Sequence, residues 1–274
     1  MQIRPMSAHV GVEITDLDIT TADDATFDQV RRAVAESGVA VLRDQQLSPE
    51  QHIAFAKRWG GIDVNNYFPS NSTYPEIAEV TKAETQTFNI GGGWHTDHSY
   101  DQIPAMGSIL VARELPPVGG DTLFASMGAA WDSLSEGMKA TLRTMRAVHS
   151  ADHIYGHDGI YSQTDRADDM KGRDLRTLAV HPVVIRHPTT GRECLYVNGA
   201  FTRHFEGWTM EESQPLLHYL YEVAQREEWQ CRLQWAPGSV AIWDNRSTWH
   251  FALNDYHGHR RVMHRITLTG EALV

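Results

Sequence analysis

The chain has little cysteine, no long apolar run and no concentration of positive charge. Cys194 and Cys231 are the only cysteines in 274 residues, so a disulfide framework is excluded and a reducing, cytoplasmic setting is expected. No apolar stretch approaches the roughly 20 residues that cross a bilayer, so no membrane association is expected. Residues 1–20 carry Glu13, Asp16 and Asp18 and no apolar run, which argues against a secretory signal. The formal net charge is −11, and nucleic acid is not an expected partner, because phosphate binding needs a Lys/Arg footprint. A small anionic substrate stays compatible, since one or two buried arginines override the global charge locally.

Internal repeats, low-complexity tracts and Pro/Gly/Ser linkers are also lacking, so a single domain over 1–274 is expected. With 41% hydrophobic and 22% charged residues, the chain can bury a sizeable core. Ser48, Pro49 and Gln51 predict a capped helix with Ile53, Phe55, Ala56 and Trp59 as its stripe, stopped by Gly60-Gly61. Thr209 and Glu212 predict another, continuing through Leu216, Leu217, Leu220, Tyr221 and Ala224. A third helix is expected over 127–145. Short strands are expected at 39–43, 108–112, 121–124, 180–186, 194–197, 240–243 and 262–269, separated by turns such as Pro116-Pro117 and Pro237-Gly238. Many short strands with few helices predict a mainly β fold of sandwich or jelly-roll type with flanking helices, not a doubly wound sheet.

Fifteen histidines say nothing about metal until their spacing is considered. In Gly91-Gly92-Gly93-Trp94-His95-Thr96-Asp97 an extended backbone would turn His95 and Asp97 the same way, toward one ion. His250, expected just after the strand that contains Trp243, is the best third ligand. Two histidines and one carboxylate with three open positions suit non-haem Fe(II), where an oxo-acid takes two positions and O₂ the third. His-x-Asp alone is a weak signal. It gains weight from Arg260 to Leu268, which as a strand puts Arg261, Met263 and Arg265 on one face and Val262, His264, Ile266 and Leu268 on the other. An arginine on the first face can grip a carboxylate bidentately. Arg261 is the candidate clamp for the far carboxylate of a 2-oxo-diacid, which leaves Arg265 for an anionic group on the substrate.

Several ordered blocks carry a resemblance: Trp94-His95-Thr96-Asp97, residues 117–124, His181-Pro182-Val183-Val184, Leu195-Tyr196-Val197-Asn198, Ile242-Trp243-Asp244-Asn245-Arg246 and residues 260–267. Through these the chain resembles the taurine dioxygenase and aryloxyalkanoate dioxygenase family of Fe(II)/2-oxoglutarate enzymes over nearly its whole length. The resemblance implies a double-stranded β-helix core of cupin-like, jelly-roll type, and frequent homo-oligomers (dimers or tetramers). It implies that His95, Asp97 and His250 ligate iron, that Arg261 and Thr122 hold 2-oxoglutarate, and that Arg265 meets the acid group of the substrate. Asn65 stands where taurine dioxygenases carry a sulfonate-contacting histidine, and Gly91 where they carry an asparagine. Taurine is therefore disfavoured against a larger aryloxyalkanoate, alkyl sulfate or other sulfonate, with Asn65, Phe68, His98, Tyr100 and Phe201, together with Tyr67 and Tyr155, as expected pocket groups. Hydroxylation beside an ether, sulfonate or sulfate would fragment the product. Residues 149–176 read equally as a lid or as a surface loop. Desaturation or cyclisation, a zinc-dependent hydrolase and a cupin-like binding protein stay as alternatives.

Overall fold

A computed structural model describes residues 1–273. Its main sheet has eight strands: β1 (Gln2–Pro5), β2 (Val12–Thr15), β3 (Val39–Leu42), β4 (Ile62–Asp63), β5 (Ala78–Lys82), β6 (Gly107–Glu114), β14 (Val240–Asp244) and β16 (Arg261–Leu268). They run in the order β1-β2-β3-β14-β6-β16-β4, with β5 also paired to β16. Opposite lies β13-β7-β15, built from β7 (Thr122–Ser126), β13 (Gln230–Leu233) and β15 (Thr248–Ala252). A third sheet, β12-β8-β9, joins β8 (Arg146–His149), β9 (Ala179–Pro182) and β12 (Thr202–Phe205), and β10 (Val184–Arg186) pairs with β11 (Glu193–Leu195). The facing sheets form the jelly-roll core.

Two packing regions follow from side-chain alternation in the main sheet. Val41, Leu110, Phe124, Ala241, Trp243 and Met263 fill the space between the main sheet and β13-β7-β15. On the outer face of the main sheet, Ile109, Ile242, Ile266 and Leu268 pack beneath α1 (Asp24–Ser37) and α2 (Pro49–Lys57). α1 has no counterpart among the expected helices. Its Asp23 cap and its buried Phe27, Val30 and Val34 at helical spacing account for it. The two expected capping boxes, at Ser48/Gln51 and Thr209/Glu212, are both formed.

The helix expected over 127–145 is two helices, α3 (Met127–Asp132) and α4 (Glu136–Leu142). Ser135 ends the run by accepting a hydrogen bond from the Met138 amide and capping the second helix, a local alternative that serines offer to a continuing helix. The expected strand 180–186 is likewise divided, into β9 and β10. His264, the polar exception on its face, accepts a hydrogen bond at Nδ1 from Arg113 Nε at 3.1 Å.

The turn between β14 and β15 is held by a buried ion cluster. Arg246 donates to both oxygens of Asp244, at 2.9 and 2.7 Å, and His187 Nε2 lies 3.0 Å from Asp244 Oδ2. Burial opposes ionisation of Asp244, but Arg246 and then His187 hold its carboxyl well below the usual range. A depressed carboxyl contributes its stability in full above the ordinary value near 3.8 and loses it only as pH falls well below that value. Asp244→Ala leaves Arg246 only its contact with the exposed Glu271, at 3.2 Å, and is expected to cost about 3 kcal/mol, measured as a lowered urea midpoint at neutral pH.

Candidate active site

Both segments that carry the candidate ligands are pinned to that turn. Thr96, between His95 and Asp97, donates its hydroxyl to the Asn245 carbonyl at 2.7 Å, while β15 leaves the turn and carries His250. His250 sits inside β15, paired with Phe124 of β7, rather than after a strand. His95 and His250 pair through their backbones, with amide-to-carbonyl distances of 3.1 and 2.8 Å. Asp97 opens a turn instead of continuing an extended segment, yet its carboxylate still meets both imidazoles.

One oxygen of Asp97 is 3.5 Å from His95 Nε2 and the other 3.5 Å from His250 Nε2. All three candidate ligand atoms lie within 4.8 Å of one another, and all three residues are buried. His95 Nδ1 is 2.7 Å from the Gly93 carbonyl. A carbonyl only accepts, so Nδ1 carries a proton, which leaves Nε2 as the ring atom that faces Asp97 and is available to a metal. Burial, reinforced by His95, pushes His250 well below its ordinary value, so its imidazole is neutral, the ligand form. Burial works against ionisation of Asp97, but the Arg265 guanidinium above all holds its carboxyl well below the usual range.

Arg265 approaches Asp97 to 2.9 Å through Nη2, and only the longer Nη1 contact of 3.5 Å has hydrogen-bond geometry. The pairing is therefore mainly Coulombic. Nε of the same guanidinium donates to Ser108 Oγ at 3.1 Å.

The triad opens on a cavity of about 340 Å³ lined also by Thr122, Arg261, Arg265, Phe68 and Phe201. Arg261 comes from β16 and Thr122 from β7, so both facing sheets contribute. Arg261 is buried, and its Nε and Nη2 have no hydrogen-bond partner among the described residues. Burial pulls its guanidinium down from the ordinary value, opposed by Tyr256 and Asp121. Asp121, the adjacent carboxylate, is taken by Arg232 at 2.6 Å. Gly120, at φ +71°, lets the chain pass this arginine, because a Cβ there would lie 3.2 Å from Arg261 Cδ.

Four expected pocket residues, Asn65, Tyr67, His98 and Tyr100, do not line the cavity. Asn65 uses its side-chain oxygen to accept the amides of Tyr67 and Phe68, at 2.8 and 2.9 Å, which orients that segment instead. His98 is turned away at φ +59° with Nδ1 2.8 Å from Asp101 Oδ2. Tyr100 stands behind the wall, 4.8 Å from the Phe201 ring. Tyr67 too belongs to the aromatic cluster behind the cavity, whereas Tyr155 lines it. Trp235, Trp243, Phe88, Asn89 and Tyr161 line the cavity without having been expected there. Asn89 donates to the Ala252 carbonyl at 2.8 Å, so an asparagine does reach the cavity wall, two residues before Gly91.

Residues 149–176 cover one side of the cavity and are tied to 81–91. Asp165 accepts the Thr87 hydroxyl at 2.7 Å and the Phe88 amide at 3.2 Å. Buried Arg166 donates to Gln86 Oε1 and the Thr81 carbonyl, both at 2.6 Å. Tyr161, stacked on Tyr155, accepts the Gly91 amide at 3.1 Å.

The sequence profile of the taurine catabolism dioxygenase TauD, TfdA family matches residues 2–267. The chain belongs to this family. Among TauD, TfdA-type relatives, an alkylsulfatase of Acinetobacter baylyi is 34% identical over 99% of this chain and 86% of its own length. The (S)-phenoxypropionate/alpha-ketoglutarate-dioxygenase of Sphingobium herbicidovorans is 32% identical over 98% and 95%. A taurine dioxygenase structure from Burkholderia xenovorans superposes with a TM-score of 0.83 at 33% identity, covering 100% of this chain and 90% of that one. The structure of AAD-2 in complex with Mn(II) and N-oxalylglycine gives 0.84 at 28% identity, covering both chains fully. Family membership makes the chain an α-ketoglutarate-dependent dioxygenase, with α-ketoglutarate (2-oxoglutarate) and O₂ as co-substrates.

Proposed function

We propose that the chain oxidises a C–H bond of a small organic acid, using Fe(II) held by His95, Asp97 and His250 and 2-oxoglutarate anchored by Arg261 and Thr122. One observation carries this reading: a buried, unpartnered guanidinium shares a cavity with a buried His-Asp-His group. A buried charge without a partner is costly, and a carboxylate arriving from the ligand removes that cost. Two imidazoles and one carboxylate, with no thiolate nearby, suit a redox metal with open positions better than a closed zinc site.

Iron bound there would let O₂ react with 2-oxoglutarate, so that CO₂ is released, one oxygen atom enters succinate and the other enters the substrate. The protein's own contribution is position and shielding. Arg261 and Thr122 fix the far carboxylate, which sets how the oxo-acid end meets the triad. Arg265 keeps N–H groups beyond those used on Asp97 and Ser108, and these can take the acid group of the substrate. Phe68, Tyr155, Tyr161 and Phe201 give the substrate an apolar wall.

No carboxylate other than Asp97 lines the cavity among the described residues. An aminosulfonate would find no partner for its ammonium, so aryloxyalkanoates, alkyl sulfates or sulfonates with an apolar body fit better. The buried thiols Cys194 and Cys231 accord with a reducing, cytoplasmic setting.

The test is anaerobic absorption spectroscopy of metal-free protein with Fe(II), before and after 2-oxoglutarate, followed by succinate release across a panel of organic acids. A weak visible band is expected only with both additions, and apolar-bodied acids are expected to outpace taurine. Tight zinc retention with no band would overturn the reading in favour of a hydrolase.

A further inference from the structure

We propose that Trp235 is a positioning residue of the 2-oxoglutarate subsite, which sets the direction of the Thr122 hydroxyl and braces the Arg261 guanidinium. The proposal rests on the reading of Arg261 and Thr122 given above. Trp235 lies just beyond β13, two residues after Leu233, the strand partner of Thr122. Its Nε1 is 3.0 Å from Thr122 Oγ1.

An indole nitrogen only donates, so the threonine oxygen is the acceptor in this contact. A hydroxyl has a single proton to give. With an oxygen lone pair occupied by Trp235, that proton remains, and no protein acceptor takes it among the described residues. Thr122 lines the cavity, where the proton can be given to an anion. Without the indole the hydroxyl could turn and present a lone pair to an incoming carboxylate instead, which would repel it.

The same ring supports the cation. Arg261 Cζ lies 5.7 Å from the Trp235 ring centroid, within the range of a cation–π contact. Gly120 closes on the arginine stem elsewhere, 3.3 Å from its Nε to a Cβ built there. The arginine is thus held between a glycine and an indole rather than by a carboxylate, which leaves its N–H groups for the ligand. A tryptophan provides both the donor and the ring; phenylalanine provides only the ring.

The experiment is binding calorimetry on Mn(II)-loaded protein under nitrogen with two probes. 2-Oxoglutarate has the distal carboxylate, whereas 2-oxobutyrate shares its chelating end and lacks that carboxylate. Trp235→Phe is expected to weaken 2-oxoglutarate about five- to tenfold and to leave 2-oxobutyrate and Mn(II) affinity unchanged. Thr122→Val is expected to do the same or more, and Thr122→Ser to keep the preference for 2-oxoglutarate. Because Trp235 acts through the hydroxyl, Trp235→Phe in the Thr122→Val background is expected to add little. Equal weakening of both probes by Trp235→Phe, or effects that multiply in the double variant, would overturn the proposal. If the unmodified protein bound both probes equally, the assignment of Arg261 and Thr122 would fail first.

Discussion

Asp97→Ala is expected to abolish Fe(II) retention and turnover, and also to destabilise the protein when no metal is present. The first effect follows from the donor set, because two imidazoles alone leave a divalent ion short of charge and of a third ligand. The second follows from Arg265. Its guanidinium is buried, and Asp97 is its ion-pair partner at 2.9 Å, with the Ser108 hydroxyl its other contact. Breaking a buried pair by removing one member costs about 3–5 kcal/mol. For a chain of this size that lowers the melting temperature by roughly 10 °C. Thermal melts in chelator, paired with metal analysis after reconstitution, separate the two effects. An unchanged melting temperature would show that Asp97 does not compensate Arg265, and that its depressed carboxyl has another origin.

Arg261→Met is expected to act in opposite directions on ligand binding and on stability. Loss of the clamp removes a charge-assisted contact to a desolvated carboxylate, worth about 2–5 kcal/mol, so 2-oxoglutarate affinity falls on the order of 100-fold or more. Metal affinity stays, because Arg261 touches none of the three ligand residues. In the ligand-free protein the same guanidinium is buried with two unpartnered nitrogens. Replacing it with a thioether of similar reach is expected to stabilise that state by about 1 kcal/mol or more. Calorimetry with 2-oxoglutarate and urea denaturation without it are the two measurements. Weakened binding together with weakened folding would make Arg261 a structural residue rather than a ligand clamp.

These contrasts show which parts of the molecule local sequence encodes. Ser48/Gln51 and Thr209/Glu212 name their helices because a capping box is a short-range interaction. The apolar runs at 39–42 and 240–244 name strands for the same reason. α1 has Phe27, Val30 and Val34 at helical spacing but no capping box to mark its start, and Ser135 divides 127–145 by capping a second helix, a role that its residue type alone does not announce. The six residues His95, Asp97, His250, Arg261, Arg265 and Thr122 do meet at one cavity; the first five stand out by residue type and spacing, whereas Thr122 is singled out only by the family resemblance. Phe68 and Phe201 do line the cavity, whereas Asn65, His98 and Tyr100 do not. What a side chain faces there depends on a turn, a left-handed backbone and a ring stack, none of which residue type announces. Trp235 gave no signal, because its partner Thr122 lies 113 positions away and the two meet only once β13 pairs with β7.

The backbone pairing of His95 with His250 sets the distance between the two imidazoles by a peptide ladder, not by the ion. On the ligand set proposed above, such a site would offer every first-row divalent cation the same three donors. Geometry then does little to reject a competitor, and affinity follows the intrinsic order in which Cu(II) and Zn(II) exceed Fe(II). With that ligand set the protein would be exposed to mismetallation, and its working state would depend on the supply of free metals around it as much as on its own sequence.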